Sequence, residues 1–91
     1  MDKAVSEIDT AIKLNPQNAD YQEIKGQICE QNHQQKEALA AYDQAIELDA
    51  DKEKRYEDKM AACKRFGNFS EYFRTRRKLL LYRGVQKQLH L

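Results

Sequence analysis

Apolar residues recur along this chain at helical spacing. Ala38, Leu39, Tyr42, Ala45, Ile46 and Leu48 trace one face of a 3.6-residue period, and Val5, Ile8, Ala11 and Ile12 trace another. No segment sustains the period-two alternation of a half-buried strand, so no sheet is expected. Polar or helix-breaking residues separate the apolar stretches. Asn15-Pro16 ends the first, because Pro16 cannot continue a helix interior. Gln31-Asn32-His33-Gln34 is a polar turn, Asp49-Ala50-Asp51 a polar break, and Phe66-Gly67-Asn68 a third turn. Asn68 can N-cap a helix, with Glu71 as its capping-box partner. Gly84 follows Arg83 where a helix end would place glycine. These breaks predict five helices over about 2–14, 19–31, 35–48, 53–65 and 69–83, with boundaries uncertain by about two to four residues. The tail Val85–Leu91 reads either as a short helix or as disorder.

The chain also aligns with itself at a shift of 34 residues. Ala4, Ala38 and Tyr72 share a column, followed by Val5, Leu39 and Phe73. Ala11, Ala45 and Leu79 share another, as do Ile12, Ile46 and Leu80, and Leu14, Leu48 and Tyr82. Ile8, Tyr42 and Arg76 form a less uniform column, and Cys29 and Cys63 are also 34 apart.

A 34-residue helix-turn-helix period with small residues at fixed places resembles the tetratricopeptide-repeat family. The most regular copy is 19–52, with Tyr21, Ile24, Gly26 and Cys29 on its first helix and Ala38, Tyr42 and Ala45 on its second. Gly26 and Ala38 match the family's small positions, where paired helices approach closely. Tyr42 and Ala45 match the aromatic and small positions that follow. Residues 1–18 look like a lone second helix ending in the family's proline, Pro16. Residues 53–86 look like a degenerate third copy, with Tyr56 at the aromatic position and Gly67 at the turn, and 87–91 are a tail. Lys25, Met60, Tyr72 and Arg76 depart from the family pattern. The last two suit a terminal capping helix with a solvated outer face. The resemblance implies an all-α, antiparallel helix-pair solenoid in a single domain over 1–91. Met1 opens directly on a second helix, which leaves Val5, Ile8 and Ile12 covered on one side only. A piece of a longer array is the first expectation, and self-association through that uncovered helix is the second.

Charge changes the picture. The net of +1 is the sum of two opposed halves. Residues 1–51 carry four lysines and eleven acids, a net of −7, and residues 52–91 carry twelve bases and four acids, a net of +8. Such asymmetry acts on partner choice and association rate rather than on fold. The longest apolar run, Leu79-Leu80-Leu81-Tyr82, is far short of the roughly 20 residues that span a bilayer, so no membrane partner is expected. No secretory signal opens the sequence, and two cysteines without one favour free thiols in a reducing compartment. The expected location is cytoplasmic, with the nucleus open.

Candidate chemistry is sparse. Cys29 and Cys63 read as small packing residues. No CxxC or HxxxH spacing supports zinc, and His33 and His90 have no sequence partner. No phosphate loop, nucleophile elbow or zincin motif occurs, so neither an enzyme nor a cofactor is expected. The family resemblance points instead to a groove lined by first helices. By position its residues are Asp20, Glu23, Gln27 and Glu30 on the second helix, and Lys54, Glu57 and Lys64 on the fourth. Some family members clamp the acidic C-termini of heat-shock chaperones with Lys, Asn and Arg. Here Glu23, Gln27, Glu57, Asp58 and Ala61 hold those places, so a basic or polar partner fits better. A second candidate is a basic edge on the fifth helix: Arg74, Arg77, Lys78 and Arg83, interleaved with Tyr72, Phe73 and Tyr82. The expected function is a protein–protein interaction scaffold or adaptor. The alternative is RNA contact through that basic helix.

Overall fold

Five helices account for nearly all of the computed structural model, which describes residues 3–89. They are α1 (Lys3–Leu14), α2 (Ala19–Gln31), α3 (Gln35–Leu48), α4 (Glu53–Phe66) and α5 (Phe69–Leu89). No strand occurs among the described residues. The chain divides into two compact units, Met1–Ala50 and Asp51–Leu91. The first holds four bases and ten acids, net −6, and the second twelve bases and five acids, net +7.

In the first unit, α1 packs on α2 and α2 on α3. The Asn15 amide closes the end of α1 on the carbonyls of Ala11 and Ile12 just before Pro16. Asn18 then N-caps α2, its side-chain oxygen accepting from the Tyr21 amide at 3.2 Å. Lys25 reaches back to Asp9 on α1 at 2.8 Å. On α1, Ile8 is buried and Val5 and Ile12 are half-buried, because α2 packs along the stripe. The core is built on small residues. Gly26 lets α2 approach the Tyr42 ring so closely that a Cβ there would lie 3.1 Å from its carbons. Ala38, Ala41 and Ala45 are buried on the same face of α3. Tyr42 is itself buried, and its hydroxyl donates to Glu30 Oε1 at 3.1 Å.

In the second unit α4 and α5 form an antiparallel hairpin. Contacts step outward from its turn in register: Lys64 lies over the Tyr72 ring, Tyr56 packs against Tyr82, and Glu53 meets Arg83. The start of α4 is satisfied from two sides. Asp51 Oδ1 accepts from the Glu53 amide at 3.3 Å, and the Lys52 amide donates to the Tyr82 hydroxyl at 3.2 Å.

The turns after α2 and α4 close identically, 34 residues apart. The Gln34 amide bonds the Cys29 carbonyl at 2.9 Å and the Asn68 amide bonds the Cys63 carbonyl at 2.8 Å. The His33 amide bonds Glu30 and the Gly67 amide bonds Lys64, each at 3.0 Å. This is the Schellman pattern, which needs a left-handed residue at its hinge. Gly67 supplies it with φ 74°, and His33 with φ 59°.

The predicted stop at Gly84 is wrong: α5 runs through it to Leu89. Gly67 is the only glycine with positive φ. Interior glycine weakens a helix by about 1 kcal/mol but does not break it. Residues 85–89 of the expected tail are therefore helical, while His90 and Leu91 lie outside the described residues.

Candidate interaction surface

The expected groove residues occupy two units, with Asp20, Glu23, Gln27 and Glu30 on α2 of the first and Lys54, Glu57 and Lys64 on α4 of the second. On α2, Asp20 and Gln27 are exposed, Glu23 is half-buried, and Glu30 accepts the Tyr42 hydroxyl. On α4 each residue has a neighbour within its hairpin. Lys54 pairs with Asp58 at 3.5 Å, Glu57 with Arg83 at 3.2 Å, and Lys64 stands 5.9 Å from the Tyr72 ring centroid.

The basic edge splits into two kinds of residue. Arg74 pairs with Glu71 at 2.6 Å. Arg83 bridges Glu53 at 2.7 Å and Glu57 at 3.2 Å. Arg77 and Lys78, with Arg76 beside them, are exposed and make no ion pair among the described residues. The aromatic residues divide as well. Tyr82 turns inward to Tyr56 and the Lys52 amide. Tyr72 is half-buried, with Lys64 over its face and Phe73 edge-on at 5.2 Å.

The feature that sequence reasoning missed lies on α5. Phe69, Phe73, Leu80, Leu81 and Val85 are each 52–65% exposed. At 3.6 residues per turn, Phe69, Phe73 and Leu80 fall within about 40° of one another, with Arg76 at their border and Arg77 on the flank. Leu81 and Val85 continue the apolar surface beside Lys78. The inward face carries Leu79, Thr75 and Tyr82 instead. The outer surface of α5 is thus solvent-exposed and mixed, with large apolar side chains standing among Arg74, Arg76, Arg77 and Lys78. Within the repeat columns, Leu80 aligns with Ile46, which is buried, and Phe73 with Leu39, which is half-buried.

A second unforeseen group lies on the inward side. Lys59 is buried, with 2% of its side chain exposed, and its ammonium donates to Glu71 Oε2 at 3.2 Å. Burial alone would push the Glu71 carboxyl up; hydrogen bonding and charge from Lys59, and then from Arg74, outweigh it and hold the group below its ordinary value of 4.5. The Glu71 amide donates to Asn68 Oδ1 at 3.2 Å, so half of the expected capping box forms. Its other half does not: the Asn68 amide goes to Cys63 and the Glu71 carboxylate goes to Lys59 and Arg74.

Cys29 and Cys63 are buried free thiols, and among the described residues no three His, Cys, Asp or Glu side chains are grouped to hold a metal ion. No described helix is long and apolar enough to cross a membrane. Comparison with protein-family models, curated proteins and solved structures returns no match.

Proposed function

We propose that this chain is a tetratricopeptide-like array that acts as a protein–protein interaction module, with the outward face of α5 as its principal docking surface. The repeat reading is supported by two helix turns 34 residues apart that close with the same hydrogen bonds on His33 and Gly67. The interaction reading rests on one observation. Five large apolar side chains stand exposed on a helix whose other face already fills the core. Large apolar side chains exposed together on one helix mark interaction sites more often than exposed residues scattered singly do. In this reading the module acts passively, by presenting that face to a partner. A cytoplasmic or nuclear setting accords with two free thiols.

The RNA alternative draws less support from the same geometry. Arg74 and Arg83 are neutralised within the hairpin, and only Phe73 of the three interleaved aromatics is exposed. Leu80, Leu81 and Val85 offer neither charge nor a stacking plane to a nucleic acid.

The test is a titration of the 15N-labelled chain with a panel of peptides, helical and extended, of both charges. Shift changes should concentrate on residues 69–85 for at least one peptide, and the Phe73→Asp/Leu80→Asp variant should lose them while keeping its far-UV circular dichroism. A panel that perturbs no residue at all defeats the proposal.

A further inference from the structure

Resting on that interaction reading, we infer that α5 receives an acidic amphipathic helix of a partner protein. The partner lies along Phe69, Phe73 and Leu80, with carboxylates opposite Arg76 and Arg77.

The partner's conformation follows from what α5 can offer. Phe69 to Leu80 is eleven residue steps, or about 16 Å at 1.5 Å per residue, which is about three helical turns. A helix interior has its backbone hydrogen bonds already made, so an extended peptide gains no strand pairing from it. Binding must come from side chains alone. Phe69, Phe73 and Leu80 hold the i, i+4 and i+11 places of a three-turn seam whose i+7 place is Arg76, and such a seam is matched by a second helix with apolar residues at that spacing and acids beside them.

The partner's charge follows from the cations. Arg76 and Arg77 make no ion pair among the described residues, and at 3.6 residues per turn they stand on either side of the stripe, whereas Lys78 lies on the opposite side of the helix. A basic or neutral helix would leave them facing like charge or desolvated without a counter-ion. Acids flanking an apolar stripe would meet them from both sides.

A second copy of the chain fits poorly. Pairing α5 with α5 through this stripe sets Arg76 and Arg77 against the same two cations of the other copy. The first unit has the opposite charge, net −6, but its exposed large apolar side chains are Leu14 and Ile24, on different helices, and they form no stripe. An anionic bilayer fits poorly too, because Arg76 at the border of the stripe would be drawn toward the acyl region with Phe73 and Leu80.

The probes are synthetic and the target is the full chain. One 18-residue peptide carries Leu at i, i+4, i+7 and i+11 with Glu on the flanks. A second replaces every Glu by Lys, a third replaces Glu by Gln, and a fourth is the Glu peptide with a central Pro. Affinity is read by fluorescence anisotropy. The Glu peptide should bind at least about tenfold more tightly than the Lys, Gln and Pro peptides, and about tenfold less tightly at about 300 mM than at about 50 mM salt. Arg76→Glu/Arg77→Glu should reverse the preference toward the Lys peptide. It leaves the apolar stripe and the core untouched, so loss of folding does not confound it.

Equal binding of all four peptides, or preference for the Pro or Gln peptide, overturns the inference and leaves the interaction reading standing. The inference is also overturned by three other results at α5: dimerisation in light scattering that the charge-reversal variant abolishes, capture by phosphatidylserine vesicles in preference to the Glu peptide, or displacement of the Glu peptide by single-stranded RNA at equal concentration. Absence of any peptide binding overturns both readings together.

Discussion

Replacing Glu71 with Gln removes from Lys59, in a nearly water-free site, the carboxylate to which its ammonium donates. The size of the penalty can be bounded. An ammonium of ordinary pKa about 10.4 loses its proton at pH 7 for about 4.6 kcal/mol, and that exit caps what an isolated buried lysine can cost. Several features reduce the figure. Gln keeps a carbonyl oxygen able to accept from Lys59, Lys59 keeps its other contacts, and the Glu71 side chain is 19% exposed and therefore partly screened. The Arg74 arm adds little, since that side chain is 64% exposed. Glu71→Gln should therefore destabilise by about 2–3 kcal/mol. Lys59→Met should cost less, about 1 kcal/mol, because it replaces the buried charge with apolar volume. The double variant should lie well below the sum of the two, with coupling of at least about 1 kcal/mol.

The same pair sets an acid limit. The folded carboxyl sits below 4.5, so as pH falls past that value the unfolded chain takes up a proton first. Stability from Glu71 is therefore fully present above about 4.5 and is lost as pH drops through the lower folded value. Glu71→Gln should flatten that part of the profile. Urea unfolding followed by far-UV circular dichroism from pH 7 to pH 3 reads both effects. Additive single substitutions, each under about 0.5 kcal/mol, with an unchanged acid slope, would refute the account of this pair.

Three further perturbations follow from the packing. His33→Gly should raise stability by about 1 kcal/mol, since a non-glycine residue at φ 59° is strained, whereas Gly67→Ala should lower it by a similar amount; thermal melts decide both. Gly26→Ala gains about 1 kcal/mol of helix propensity but places a methyl 3.1 Å from a buried ring held by Glu30, so urea midpoints should show a net loss of about 1–2 kcal/mol. Leu79→Ala should cost about 2–4 kcal/mol and its neighbour Leu80→Ala under about 0.5, because Leu79 is 3% exposed and Leu80 52%; equal losses in thermal melts would contradict the placement of α5.

Much of the helical layout could be read directly. Pro16, the 34-residue column pattern and the polar turn residues mark five helices, because helix periodicity and turn chemistry are local properties. Gly84 misled because glycine permits a helix stop without enforcing one; the stop also needs a left-handed hinge, which Gly67 adopts and Gly84 does not. The pairing of Lys59 with Glu71 spans twelve residues and depends on which side of α4 faces α5. Glu71 also looked committed to capping, and the competition between cap and ion pair is settled only by the hairpin. The groove residues came from family position rather than from any physical signal in the chain.

The face of α5 was hidden for a different reason. Its apolar residues fall at 69, 72, 73, 79, 80, 81, 82, 85 and 89, which is too many for one stripe and too scattered for a single dominant direction. A helix that is apolar all round is ordinarily buried all round, and the repeat columns place Phe73 and Leu80 with residues that are at least half-covered in the preceding copy. Both rules assign them to a core. The arginines between them break that assignment, because a fully buried helix would not carry Arg76, Arg77 and Lys78 unpaired among the described residues. Apolar residues in excess of one stripe, interrupted by cations, are therefore the pattern of a helix with one face in the core and another available to a charged partner. That combination, rather than the near-zero net charge of the chain, carries the functional content of its basic half.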